Sequence, residues 1–253
     1  MRSARIYTAN ELITGSIVEL DGSAARHINQ VLRKRVGDTL VLLDGRGSEF
    51  AATIRGVDKK GVHVNVGEQT TTTTESDLQL SLWHGLCRGG RMDSVIQKAT
   101  ELGVTSIQPI LTARGVVKFD QSKAPKRVQH WQTVAISACE QSGRNQLPEI
   151  HTPLKLTEAL VCLDDGCCAI LLHPDGHAKL DSVVTAGKPT IVLTGPEGGF
   201  TEDEVRAATE AGFTSVALGS RIMRTETAPI VALGLVQYLA GDLAGRRPGE
   251  ATA

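Results

Sequence analysis

The spacing of apolar and polar positions changes character once along this chain, near residue 76. Before that point, short runs with a period of two predict strands at Ile17–Leu20, Thr39–Leu43, Phe50–Ile54 and Val62–Val66, the last in strict alternation. Turn residues separate them at Asp21-Gly22, Gly37-Asp38, Asp44-Gly45-Arg46-Gly47 and Lys60-Gly61. A single helix interrupts the series, Ser23 to Leu32, with Ala24, His27, Ile28, Val31 and Leu32 along one face. Many short strands in so small a unit predict a barrel. Gln69 to Ser76, with five consecutive threonines and no apolar anchor, reads as a linker, so the predicted domains are 1–72 and 73–253.

From Asp77 onward strands and helices alternate. Leu78–Trp83 and Val104–Ile110 are predicted strands. The helix between them, Met92–Leu102, presents Met92, Val95, Ile96, Ala99 and Leu102 on one face and stops at Gly103. Pro125 opens another helix in which Val128, Trp131, Ala135 and Ala138 recur at helical spacing, which places Trp131 in a core. Further strands are predicted at Cys168–Leu172, Thr190–Thr194 and Ser215–Gly219, and a last helix at Ile230–Leu243 with Pro229 in its first turn. This alternation predicts an α/β domain whose parallel sheet is covered by helices. Gly245–Ala253 reads as a polar tail.

The most informative stretch is Thr190 to Glu204. Its strand breaks into Gly195-Pro196-Glu197-Gly198-Gly199, and Thr201 with Glu204 forms a capping box that opens a helix. Ligands of open α/β sheets bind at such strand-end loops, and glycine there lets a ligand approach bare backbone. No Gly-Lys-Ser/Thr follows and the G-x-G-x-x-G spacing is absent, so neither a triphosphate loop nor a dinucleotide fingerprint is present. A second loop of the same kind, Gly219 to Ala228, follows the next strand and could wall the same pocket.

These motifs carry a resemblance. Gly195-Pro196-Glu197-Gly198-Gly199, Leu218-Gly219 and Arg224-Thr225-Glu226-Thr227-Ala228 resemble the RsmE family of bacterial methyltransferases. Further matches stand at His27-Ile28-Asn29-Gln30-Val31-Leu32-Arg33, at Gln97 to Val104 and at Glu140-Gln141-Ser142-Gly143-Arg144, in family order over nearly the whole chain. The resemblance implies methylation of N3 of a uridine in small-subunit ribosomal RNA, with S-adenosyl-L-methionine as donor. It also implies a SPOUT-class, trefoil-knotted α/β domain behind a PUA-like RNA-binding barrel, a homodimer, and a substrate within a ribosomal particle. Carried over residue by residue, it implies a cofactor pocket of Leu172, Leu193, Thr194, Gly195, Gly198, Gly199, Leu218, Gly219, Ile222, Met223, Thr227 and Ala228. RNA contacts would come from Arg5, Arg26, His27, Arg33, Arg35 and Arg88.

Composition narrows the rest. At 41% hydrophobic and 22% charged residues the chain reads as globular. It has no apolar run of eighteen residues and no signal peptide, so a cytoplasmic location without a membrane is expected. Five irregularly spaced cysteines (Cys87, Cys139, Cys162, Cys167, Cys168) argue against a disulfide framework. Pro174 and Gly176 separate His173 from His177, so no metal site is expected. The net charge of -1 does not advertise nucleic-acid binding; residues 1–68 carry 10 Lys and Arg against 8 Asp and Glu, the remainder 17 against 20. RNA would therefore need a local patch. Arg26, Arg33, Lys34 and Arg35 supply one around the first helix, although cations at a helix end also favour its dipole.

Methyl transfer from a sulfonium needs no metal and much positioning. Uridine N3 carries a proton, so catalysis must remove it or stabilise the charge left behind. Glu197 is a candidate base with Glu226 as alternative, and Arg224 and Arg144 are candidate cations; a Glu197–Arg224 ion pair is the competing structural role. Two other classes remain open, an RNA-binding module without catalysis and a different nucleotide-using transferase. An esterase is disfavoured because no G-x-S-x-G occurs.

Overall fold

The computed structural model describes residues 3–20, 22–58, 61–70, 74–117 and 119–245. The turn residues Asp21 and Lys60, threonines 71–73 and the predicted tail after Gly245 lie outside the described residues. The chain divides into two compact units, Met1–Glu75 with Ile136–Leu147 and Ser76–Ala135 with Pro148–Ala253. The first unit thus includes a segment, 136–147, that the sequence pattern assigns to the second domain.

In the first unit β1 (Arg5–Tyr7), β2 (Ile17–Leu20), β3 (Thr39–Leu43), β4 (Glu49–Val57) and β5 (Val62–Thr70) form a five-stranded sheet in the order β1-β3-β4-β5-β2. β1 runs parallel to β3 and the other pairs are antiparallel. The alternation read in β5 is realised as Val62, Val64 and Val66 buried, packing with Ile6, Leu20, Leu40, Leu42 and Ile54. β1 escaped prediction because it is three residues long and buries one of them fully, Ile6. The predicted helix is α1 (Gly22–Arg26) followed by a π-helical turn, His27–Val31. That extra residue per turn rotates the face: Ile28 is buried and Ala24, Ala25 and Leu32 pack on the core, but Val31 is 70% exposed.

The second unit contains β6 (Leu80–Gly85), α2 (Arg91–Glu101), β7 (Ser106–Leu111), α3 (Ala124–Ser142), β8 (Glu149–Ile150), β9 (Leu154–Lys155), α4 (Leu156–Val161), β10 (Cys168–Leu172), α5 (Leu180–Val183), β11 (Thr190–Thr194), α6 (Glu202–Glu210), β12 (Thr214–Val216) and α7 (Ala228–Ala240); the end of α3 passes into the first unit. Its seven strands run parallel in the order β12-β10-β11-β6-β7-β8, with β9 beside β7. Both faces are covered, as a parallel sheet requires. Leu80, Leu82, Ile170 and Val192 face α2, α7 and Trp131 of α3. Their neighbours in sequence, Trp83, Ala169, Leu171 and Leu193, face α4 and α6. β8, β9, α4 and α5 are two to six residues long, too short for a period to register.

Two glycines set how close the strand ends come. A Cβ on Gly85, the last residue of β6, would collide with the Pro196 ring and with the backbone of Gly195. One on Gly176, in the loop after β10, would collide with the Val216 and Ala217 backbone. Gly85→Ala should therefore destabilise the protein by about 1–3 kcal/mol. Gly90→Ala, at a site with nothing within 4 Å, should stay within about 0.5 kcal/mol of wild type. Urea unfolding of the two variants checks the difference.

Candidate active site at the strand ends

The C-terminal ends of β10, β11 and β12 open into one cavity of roughly 600 Å³, all of whose lining residues belong to the second unit. The loop after β11 makes one wall. Its Pro196-to-Gly199 turn is closed by the Gly199 N–H donating to the Pro196 carbonyl at 2.9 Å, with Gly199 at φ 66°. Thr201 then caps α6: its Oγ1 accepts from Glu204 N–H at 3.2 Å, and Glu204 Oε2 accepts from Thr201 N–H at 2.8 Å. The loop after β12 makes the opposite wall with Leu218, Gly219, Ile222, Met223 and Arg224. The two walls are tied together, because the Thr225 hydroxyl donates to the Gly195 carbonyl at 2.9 Å. Leu172, Val216, Leu218 and Phe200 give the cavity an apolar lining.

Charge is arranged in pairs. Glu197 Oε1 accepts from Arg91 Nη1 at 2.7 Å and from the Arg88 N–H at 3.1 Å. Burial alone would raise the pKa of this carboxyl, but the Arg88 N–H, its own backbone N–H and Arg91 outweigh that and hold it below the usual range. Arg91 Nε lies 3.8 Å from Glu226 Oε2, and Arg224 Nη1 lies 4.0 Å from Glu226 Oε1. The alternative role raised for Glu197 and Arg224, an ion pair with each other, is not formed: Glu197 pairs with Arg91 and Arg224 faces Glu226. Behind the loop, fully buried His84 sits with Nδ1 2.6 Å from Thr194 Oγ1. Burial lowers its pKa to about 4, against a smaller opposing effect of Glu197, and the imidazole is neutral at pH 7.

The chain matches the model of an RNA methyltransferase domain over residues 74–237 and that of an RNA methyltransferase PUA domain over residues 20–67. It is 31% identical to the ribosomal RNA small subunit methyltransferase E of Bacillus subtilis, over 91% of this chain and 93% of that one. The chain belongs to the ribosomal RNA small subunit methyltransferase E family. Among solved structures, the family member from Neisseria gonorrhoeae bound to S-adenosyl methionine superposes with a TM-score of 0.89 at 38% identity, over 95% of this chain and 99% of that one. A putative methyltransferase from Legionella pneumophila in complex with SAM superposes with a TM-score of 0.92 at 37% identity, over 96% of this chain and all of the other.

Seen as a member of the RsmE family, the chain brings most of the expected pocket together. Leu172, Thr194, Gly195, Gly199, Leu218, Gly219, Ile222, Met223 and Ala228 line it, as do Glu197 and Arg224. Gly198, Leu193 and Thr227 are not among the lining residues. A Cβ on Gly198 would lie 2.6 Å from the Arg114 carbonyl oxygen, so a side chain there would collide with protein backbone. Leu193 is fully buried in the core between the sheet, α4 and α6. Thr227 precedes α7, its N–H donating to the Arg224 carbonyl at 2.9 Å.

Arg144, expected as a second catalytic cation, belongs to the first unit. There it is 5% exposed and donates from Nε and Nη2 to Glu75 at 2.9 and 2.7 Å. Arg5 is likewise engaged, 2.7 Å from Glu49, and His27 lies 3.8 Å from Glu140. Arg26, Arg33 and Arg35 are exposed in the first unit. Arg88, expected on RNA, is exposed in the second unit and gives its N–H to Glu197. Sequence reasoning missed Arg91 and Arg114 in the pocket and His84 beneath it. Gly85 to Arg91 repeats the sequence of strand, glycine loop and helix, and that signal could have found Arg91.

The depressed His84 pKa has a consequence for stability. Acid protonates this imidazole in the unfolded chain near pH 6.5 but in the folded one only near pH 4. Its contribution is complete above about pH 6.5, declines as pH falls and is lost by about pH 4, a change of about 3 kcal/mol. His84→Asn, which keeps a hydrogen-bonding partner for Thr194, should flatten that part of the profile. Urea unfolding of both proteins between about pH 7 and about pH 4 measures it.

Proposed function

We propose that this protein transfers a methyl group from S-adenosyl-L-methionine to N3 of a uridine in small-subunit ribosomal RNA. The observation that carries the reading is the cavity at the strand ends, between two glycine loops that a hydrogen bond ties together. Its volume lies in the range of small-molecule sites. The apolar lining of Leu172, Val216, Leu218 and Met223 fits an adenine ring, and Gly195 and Gly219 line the same cavity. When bound, the donor supplies an electrophilic methyl group on a sulfonium. The protein then has to orient the uridine beside it, exclude water and manage the N3 proton. A purely RNA-binding role would leave this cavity and its paired charges without a use.

The remaining assignments follow from that reading. The second unit is the catalytic domain, with a SPOUT-type trefoil knot, and the first is the RNA anchor, through Arg26, Arg33, Lys34 and Arg35. The substrate is ribosomal RNA within an assembled particle in the cytoplasm. The protein works as a homodimer, a reading supported by Val231, Leu235 and Tyr238 of α7, which are 37, 40 and 58% exposed. Light scattering at micromolar concentration should give two chains per particle.

Single-turnover methylation with tritiated donor, followed by nucleoside analysis, tests the reaction. Label is expected in N3-methyluridine; label on a ribose hydroxyl or on C5 would overturn the assignment. Arg224, 80% exposed on the pocket wall, is placed to be covered by RNA and to offset charge developing on the uracil. Arg224→Lys keeps the charge but loses the planar fork, and should lower turnover ~100-fold while leaving donor affinity unchanged.

A further inference from the structure

Two carboxylates line the pocket, and a single arginine divides them unequally. Arg91 hydrogen-bonds Glu197 at 2.7 Å but stands 3.8 Å from Glu226. With the Arg88 N–H on the same oxygen, Glu197 is held as an anion with a weak affinity for a proton. Glu226 is different. Its nearest cations, Arg91 and Arg224, lie at 3.8 and 4.0 Å, and among the described residues no donor hydrogen-bonds its carboxylate. Its side chain is 27% exposed. Its backbone is nevertheless well fixed: Thr225 is bonded to Gly195, and the Thr227 and Ala228 N–H groups both donate to the Arg224 carbonyl.

Resting on the methylation reading above, we propose that Glu226 takes the proton from uridine N3, while Glu197 is a positioning residue that holds Arg91 between the two carboxylates. The N3–H bond breaks and its proton passes to a Glu226 oxygen. The electron pair left on N3 forms the bond to the methyl carbon, and the carbon–sulfur bond breaks with its pair going to sulfur, which departs as a neutral thioether. Glu226 afterwards releases the proton to solvent. Arg91 and Arg224 flank the carboxylate and offset the negative charge that it shares with the base during transfer. Another titratable group that feels Glu226 is Cys87, whose thiol burial, with Glu197 and Glu226, pushes up to about 12, so it stays neutral.

The test compares wild type, Glu226→Gln and Glu197→Gln. Calorimetry reads donor affinity, and single-turnover rates are followed across alkaline pH on RNA carrying uridine or 5-fluorouridine, whose N3–H is the more acidic. For Glu226→Gln, donor affinity should be unchanged and the rate on uridine should fall ~100-fold or more. That residual rate should rise about tenfold per pH unit where wild type is level, because free base must now ionise unaided. 5-Fluorouridine should recover most of the loss, which a merely structural defect would not allow. Glu197→Gln should lose rate on both bases alike, without the new pH slope. A wild-type rate from Glu226→Gln, a loss that the acidic base does not recover, or the slope and recovery appearing in Glu197→Gln would each overturn the assignment. If wild type places no methyl on uridine N3, product analysis shows at once that the functional reading itself is wrong, and this proposal falls with it.

Discussion

The site depends on bare backbone meeting backbone where the parallel strands end. At Gly85 the end of β6 runs against Gly195 and Pro196, and at Gly176 the loop after β10 runs against Val216 and Ala217. No side chain fits at either contact, so the ends of four neighbouring strands, β12, β10, β11 and β6, come together in pairs. Parallel order makes this possible, since every strand delivers its C-terminal loop to the same edge of the sheet. The two cores pack the sheet on either face, and the Thr225–Gly195 hydrogen bond joins the walls.

Electrostatics differentiate groups that look alike in sequence. Glu197 and Glu226 are both pocket carboxylates, yet one is bonded by an arginine and a backbone N–H and the other has cations only beyond hydrogen-bond distance. The arginines divide in the same way. Arg5 and Arg144 are largely buried on Glu49 and Glu75, where removing one partner would strand a charge in the interior, so they hold the first unit together. Arg224 and Arg221 are exposed where they line the pocket, Arg224 4.0 Å from Glu226. His84 adds a neutral hydrogen-bonding group under the loop without adding charge.

Periodicity and turn chemistry determined most of the fold. The strands Ile17–Leu20, Thr39–Leu43 and Cys168–Leu172 stand where alternation or apolar runs place them, and Thr201 caps α6 through Glu204 as the spacing requires. These signals are local: a strand of four or five residues, or a cap, is decided by residues within one turn of each other. The glycine loops after β11 and β12 were legible for the same reason, and with them most of the pocket wall. Only tertiary structure decided the rest. A π-helical turn exposes Val31, because one extra residue in a turn leaves no mark on composition. Gly198 lies against the Arg114 carbonyl, Arg91 bridges Glu197 and Glu226, and Arg144 pairs with Glu75 across 69 positions of sequence. Each of those depends on a distance between residues far apart in the chain, and such distances exist only once the strands have been ordered and packed.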